Sequence, residues 1–156
     1  MKQKLIAVVL GFSLSNAVNA SEVTLSADTY GKVIFGSRLV DVAKKLKEQV
    51  NVNNKECDYV TFRSYPNAQF MVEKGIITRV NVDPGIQNIL LALPVDTKRK
   101  SIAVAIEPHK YAAAGSYLIF KNADGKKAVV MEADEGKIKN IRAGLEPSVE
   151  YVEGCS

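Results

Sequence analysis

The chain has 156 residues, with 21 basic against 17 acidic side chains, a formal net charge of +4, two cysteines and no tryptophan. Lys2 and Lys4 belong to an N-terminal stretch read below as an export signal, and its removal leaves 19 basic against 17 acidic residues. That near-neutral balance offers no concentrated basic stripe and excludes nucleic acid as a partner, while a length of about 135 residues after cleavage fits one compact domain or two small halves sharing a core.

Residues 1–20 read as a signal peptide. Lys2 and Lys4 give the positive start, Leu5 to Leu14 the apolar run, and Val18-Asn19-Ala20 the small residues at the cut. The run is too short to span a bilayer, which takes roughly 20 apolar residues, and no later stretch is long enough either. The expected product is exported to the periplasm or secreted, and has no membrane span.

A short strand over Val23 to Leu25 comes first. From Ser37 to Val50, Leu39, Val42, Ala43, Leu46 and Val50 share one face while Lys44, Lys45 and Lys47 lie elsewhere, which predicts an amphipathic helix capped by Ser37. Three strands are expected next, over Tyr59 to Ser64, Ala68 to Glu73 and Ile76 to Val82. The last two are joined by a tight turn at Lys74-Gly75, where glycine supplies positive φ. Asp83-Pro84-Gly85 then interrupts the sheet.

The second half echoes the first. Tyr117-Leu118-Ile119-Phe120 matches Tyr59-Val60-Thr61-Phe62, and Met131-Glu132-Ala133 with Gly136, Ile138 and Ile141 matches Phe70-Met71-Val72 with Gly75, Ile77 and Val80. The pattern predicts an α+β fold of two tandem units, each a helix plus a three-stranded antiparallel meander, over 21–84 and 85–156, sharing a core. The second helix belongs between Ile86 and Lys100, where Pro94 requires either that the helix begin near it or that the segment be distorted or extended. Ser101 to Glu107 alternates as a strand, and Pro147 to Val152 reads as a final one.

This architecture resembles the β-lactamase inhibitor protein, and each unit resembles the small outer-membrane assembly lipoprotein of the barrel-insertion machinery. The residues that carry it are Gly36, Leu39 to Leu46, Tyr59 to Phe62, Phe70 to Val80 and the Tyr117 to Ile141 echo. Pro108-His109-Lys110-Tyr111 and the ending Tyr151-Val152-Glu153-Gly154-Cys155 are similar to segments of an uncharacterised group of secreted or periplasmic bacterial proteins. No cysteine directly follows the signal, so a lipoprotein anchor is not implied.

In an oxidising compartment the even pair Cys57 and Cys155 predicts a disulfide, closing a loop of about a hundred residues for roughly 4 kcal/mol in the chain-entropy picture. The pair lacks the C-x-x-C spacing of a redox centre. His109 is the sole histidine; it reads either as a loop residue bonded to structure or water, or as an acid or base with only Glu107 nearby. One histidine and two bridged cysteines imply no metal site, and no motif implies a cofactor. No nucleophile elbow is present, and Gly31-Lys32 and Gly125-Lys126 lack the rest of a phosphate loop.

Binding is better supported by the pattern than catalysis. With Phe62, Ile76, Val80 and Val82 inward, alternation aims Arg63, Arg79 and Asn81 outward, where Tyr65 joins them; Tyr111, Tyr117, Asn140 and Arg142 form the counterpart in the second unit. The expected function is a non-catalytic protein-binding module of the cell envelope, inhibitor-like or an assembly factor. On that reading Arg63→Ala or Arg79→Ala weakens capture without lowering the thermal midpoint. The alternatives are a small-ligand or envelope-glycan binder using Tyr111, Tyr117 and His109, and an enzyme centred on His109.

Overall fold

Alternating apolar residues on either side of Lys74-Gly75 fold back as a hairpin, and both turn residues adopt positive φ, 50° and 80°. The computed structural model describes residues 23–83, 89–94, 101–105, 116–134 and 137–155. These form strands β1 (Val23–Ser26), β2 (Thr29–Tyr30) and β3 (Val33–Ile34), helix α1 (Leu39–Leu46), then β4 (Cys57–Val60), β5 (Ala68–Glu73), β6 (Ile76–Val82), β7 (Ile89–Pro94), β8 (Ser101–Ala105), β9 (Ser116–Lys121), β10 (Lys127–Asp134) and β11 (Lys137–Leu145). The expected signal segment, His109 and Tyr111 lie outside the described residues.

Six strands make one antiparallel sheet in the order β4-β5-β6-β11-β10-β9. It contains two meanders laid side by side and joined through β6 and β11, with Val82 opposite Ile141 and Val80 opposite Ala143. The other sheet runs β3-β2-β1-β7-β8, and β1 and β7 are parallel, pairing Val23 with Ile89 through Ser26 with Ala92.

With one helix among the described residues, the chain is mostly β, and the expected α+β class of two helix-plus-meander units is overturned. The place assigned to a second helix holds β7. Ile89 to Leu93 is a short unbroken apolar run, which suits a strand within a sheet as well as a helix. Pro94 sits at the last position of β7, opposite Ser101, where a strand tolerates a missing N–H. Two further boundaries move. β4 ends at Val60 rather than Ser64, and Pro147 to Val152 forms turns and irregular chain instead of a strand.

The inner face of the six-stranded sheet contributes Val60, Phe70, Val80, Val129 and Ile141 to a buried cluster that also holds Leu25, Val33 and Leu91 from the other sheet and Leu39 and Val42 from α1. Each such side chain is worth about 1.5–3 kcal/mol on burial. Tyr30, Phe62, Tyr65 and Phe70 meet edge-on or tilted, with ring centroids 5.1–6.1 Å apart. Burial in this group raises the Tyr30 hydroxyl above its ordinary pKa.

Ser37 does not cap α1; the cap position is Arg38, whose side chain makes no capping bond. The chain entering α1 is instead held against the β5–β6 hairpin. Leu39 N–H donates to the Gly75 carbonyl (2.8 Å), Gly36 N–H to the Ile77 carbonyl (2.8 Å), and Ile77 N–H to Ser37 (2.9 Å). α1 ends at Lys47, which takes the left-handed conformation at φ 58° and donates back to Lys44. At Gly144 β11 lies against β6 with no room for a side chain: a Cβ there would fall on the Thr78 carbonyl oxygen and 2.7 Å from Arg79 Cα.

Just after α1, Glu48 holds the turn that follows β4. Its carboxylate accepts the Arg63 N–H (2.6 Å), the Ser64 N–H (2.9 Å) and the Ser64 hydroxyl (2.5 Å). These bonds, the Ser64 hydroxyl first, hold the Glu48 pKa below its ordinary value. A depressed folded pKa gives stability that is present above the unfolded value and is lost as pH falls through the folded one. Glu48→Gln is therefore expected to lower the urea midpoint at pH 7, with the gap to the parent closing as pH falls through the lowered Glu48 pKa. A gap unchanged by acid would show that the carboxylate charge is irrelevant to the turn.

Candidate functional site

The face of the six-stranded sheet that turns away from the core is built by strand alternation. Opposite Val80, Ala143 and Val129, the register sets out one row of Tyr59, Met71, Arg79, Gly144 and Ala128. The next row is Gln69, Asn81, Arg142, Val130 and Ile119, and beyond it stand Asn140, Glu132 and Tyr117. A polar outer surface is the usual result for an antiparallel sheet. Here half of it is roofed over.

The roof is the C-terminal segment 146–155. At its start Lys121 pairs with Glu146 and Glu150, both at 3.1 Å, which holds the lysine above its ordinary pKa. Val149 is fully buried in a small cluster with Ala128 and Val130. Ser148 donates its hydroxyl to Glu73 (2.6 Å). At its end Cys155 is bonded to Cys57 at the head of β4. Gly154 passes so close to Tyr59 and Arg79 that a side chain there would collide with the tyrosine hydroxyl.

Two arginines lie beneath this strap, each 2% exposed. Arg79 Nη1 donates to the carbonyls of Ser148 (3.0 Å) and Tyr151 (2.7 Å), and Nη2 donates to the Tyr59 hydroxyl. Arg142 Nη1 reaches the same Tyr151 carbonyl at 3.2 Å, and its guanidinium lies 6.0 Å from the Tyr117 ring centroid. Burial pulls Arg79 below its ordinary pKa; Tyr59 opposes that shift and the Arg142 charge adds to it. Arg79 Nε has no partner.

Alternation does aim Arg79 and Asn81 away from the core, yet the strap makes Arg79 and Arg142 structural anchors, not members of an open surface. Tyr65 belongs to the inner core, where its hydroxyl accepts the Lys32 N–H (2.9 Å). Because β4 ends at Val60, the chain leaves the sheet before Arg63 and Tyr65, and the period-two rule no longer applies to them. Arg63 is exposed on the turn that Glu48 holds. The structure brings Arg142 to Tyr117 and Asn81 to Asn140, while Arg63 and Tyr65 stand apart from both pairs. His109 and Tyr111, on which the enzyme and glycan readings rest, lie outside the described residues.

Among the described residues, exposed apolar side chains and a cleft stand uncovered on the outer face. At the β9 edge, Tyr117 and Ile119 are each 46% exposed, and on the strap Tyr151 and Val152 are 57% and 66% exposed. At the far ends of β5, β6 and β11 a cleft of about 480 Å³ is lined by Asn67, Gln69, Asn81, Asp83, Lys139 and Asn140.

No family model, curated protein or solved structure matches the chain. Among the described residues, no three His, Cys, Asp or Glu side chains gather as a metal site, and no helix is long and apolar enough to cross a membrane. Gln69 and Ile119 follow from the same alternation that gave Arg79 and Tyr117. Ser148 and Val149 do not, since their roles come from segments about seventy and twenty positions away.

Proposed function

We propose that the mature protein is an exported, non-catalytic binding module of the cell envelope, acting as an inhibitor or assembly factor on a protein partner. The observation that carries this reading is the set of large apolar side chains exposed on the β9 strand and on the strap. Tyr117 and Ile119 come from the sheet, Tyr151 and Val152 from the strap, and Arg142 joins the two through the Tyr151 carbonyl and the Tyr117 ring. A patch of large side chains on a rigid support loses little conformational freedom on binding, and tyrosine is enriched among residues that dominate interface energies. Among the described residues β9 is also the last strand of its sheet, an edge to which a partner strand can add. The disulfide between Cys57 and Cys155 supports an oxidising compartment, and hence export.

The test is affinity capture from the native envelope fraction with mature protein as bait and heat-denatured bait as control. A stoichiometric protein partner is expected. It should be lost with Tyr117→Ala/Ile119→Asp, whose thermal midpoint stays within about 3 °C of the parent because both side chains are half exposed, and kept with Arg63→Ala. Equal capture by the double variant would remove this face from the interface.

A further inference from the structure

We propose that the cleft at the ends of β5, β6 and β11 is a binding site for a neutral N-acetylated saccharide, separate from the protein-binding patch. Its volume, about 480 Å³, falls within the range of small-molecule sites. Its walls decide the ligand class. Four carboxamides, Asn67, Gln69, Asn81 and Asn140, converge there, and each offers an acceptor oxygen beside a two-proton donor.

That side-by-side arrangement matches an acetamido group, whose N–H and C=O are likewise adjacent, and sugar hydroxyls, which both donate and accept. Asp83 and Lys139 carry opposite single charges, so the cleft has no net sign with which to select a phosphate or a polycation. Pro66 is its exposed apolar wall, too little for a hydrocarbon ligand and enough to lie against one face of a sugar ring, while the Val82 side chain turns into the core.

A second observation comes from Asn81. Its Oδ1 is shut off from solvent and accepts no hydrogen bond, although the residue lines the cleft and is itself half-buried. An acceptor left in that condition is unfavourable, and turning the carboxamide to hand its oxygen to a ligand donor relieves it. Asn81 and Gln69 face each other across the β5–β6 ladder, so these two carboxamides are held on paired strands before any ligand arrives.

The experiment is a titration of 15N-labelled mature protein with N,N′-diacetylchitobiose, with maltose as the sugar lacking acetamido groups. The side-chain amide signals of Asn67, Gln69, Asn81 and Asn140 are expected to shift in a saturable way with diacetylchitobiose and not with maltose. Gln69→Ala/Asn140→Ala should weaken that binding by about tenfold or more, as expected for two lost hydrogen bonds, while the backbone spectrum stays that of a folded protein. No saturable shift, an equal response to maltose, or full affinity in the folded double variant would each overturn the assignment.

Discussion

Replacing Cys57 and Cys155 with serine should lower the thermal midpoint by about 10 °C, a loss of roughly 2–5 kcal/mol taken at a few degrees per kcal/mol. The bond joins positions 98 apart, so its absence releases much of the unfolded chain from a long loop. The folded side also suffers. Once Cys155 is free, residues 146–155 are held by Val149 in its small pocket, by the Ser148–Glu73 hydrogen bond, by the Lys121 pairs, and by carbonyls that accept from Arg79 and Arg142. Exposed ion pairs contribute about 0–1 kcal/mol each, too little to fix the segment alone. Hydrogen exchange should therefore show amides in 148–155 losing protection while β5 and β10 keep theirs. A midpoint within about 2 °C of the parent, with the strap still protected, would mean that the arginines suffice to hold it.

What the sequence made legible follows from interactions that are close along the chain. The Lys74-Gly75 hairpin is carried by two positive-φ residues between alternating runs, and the outward direction of Arg79, Asn81, Tyr117 and Arg142 follows from period two. The disulfide is legible for another reason, as a consequence of cysteine count and compartment. The parallel pairing of β1 with β7 is not legible, because it joins segments more than sixty residues apart and nothing local in Ile89 to Leu93 distinguishes a strand from a helix. The same limit explains the misplaced arginines. Alternation says which face a residue is on, but only tertiary contacts say whether that face meets water. A chain terminus folded over the sheet and bonded to Cys57 turns two apparent binding residues into supports for the roof.

The expectation that Arg79→Ala would leave stability untouched is thereby reversed: the variant should lose about 3 kcal/mol or more in urea unfolding, whereas Arg63→Ala, exposed on its turn, should stay within about 0.5 kcal/mol. Truncation leaves a cavity and strips the Ser148 and Tyr151 carbonyls and the Tyr59 hydroxyl of a donor in a closed space. Against this stands the penalty of burying a guanidinium beside Arg142 with an unpartnered Nε. Arg79→Met separates the two contributions, since it refills the volume and removes the charge while still leaving the Ser148 carbonyl and the Tyr59 hydroxyl without the arginine donor. Its loss should fall between those of the parent and Arg79→Ala. Arg79→Lys keeps the charge but lacks the planar fork that serves two carbonyls and a hydroxyl at once, so it should not restore stability. The decisive comparison is a double-mutant cycle with Cys57→Ser/Cys155→Ser. If Arg79 acts by holding the strap, its truncation should be less damaging by about 1–2 kcal/mol once the strap is already loose. Strict additivity would instead assign Arg79 to the sheet beneath, and leave the strap to the disulfide and its other contacts.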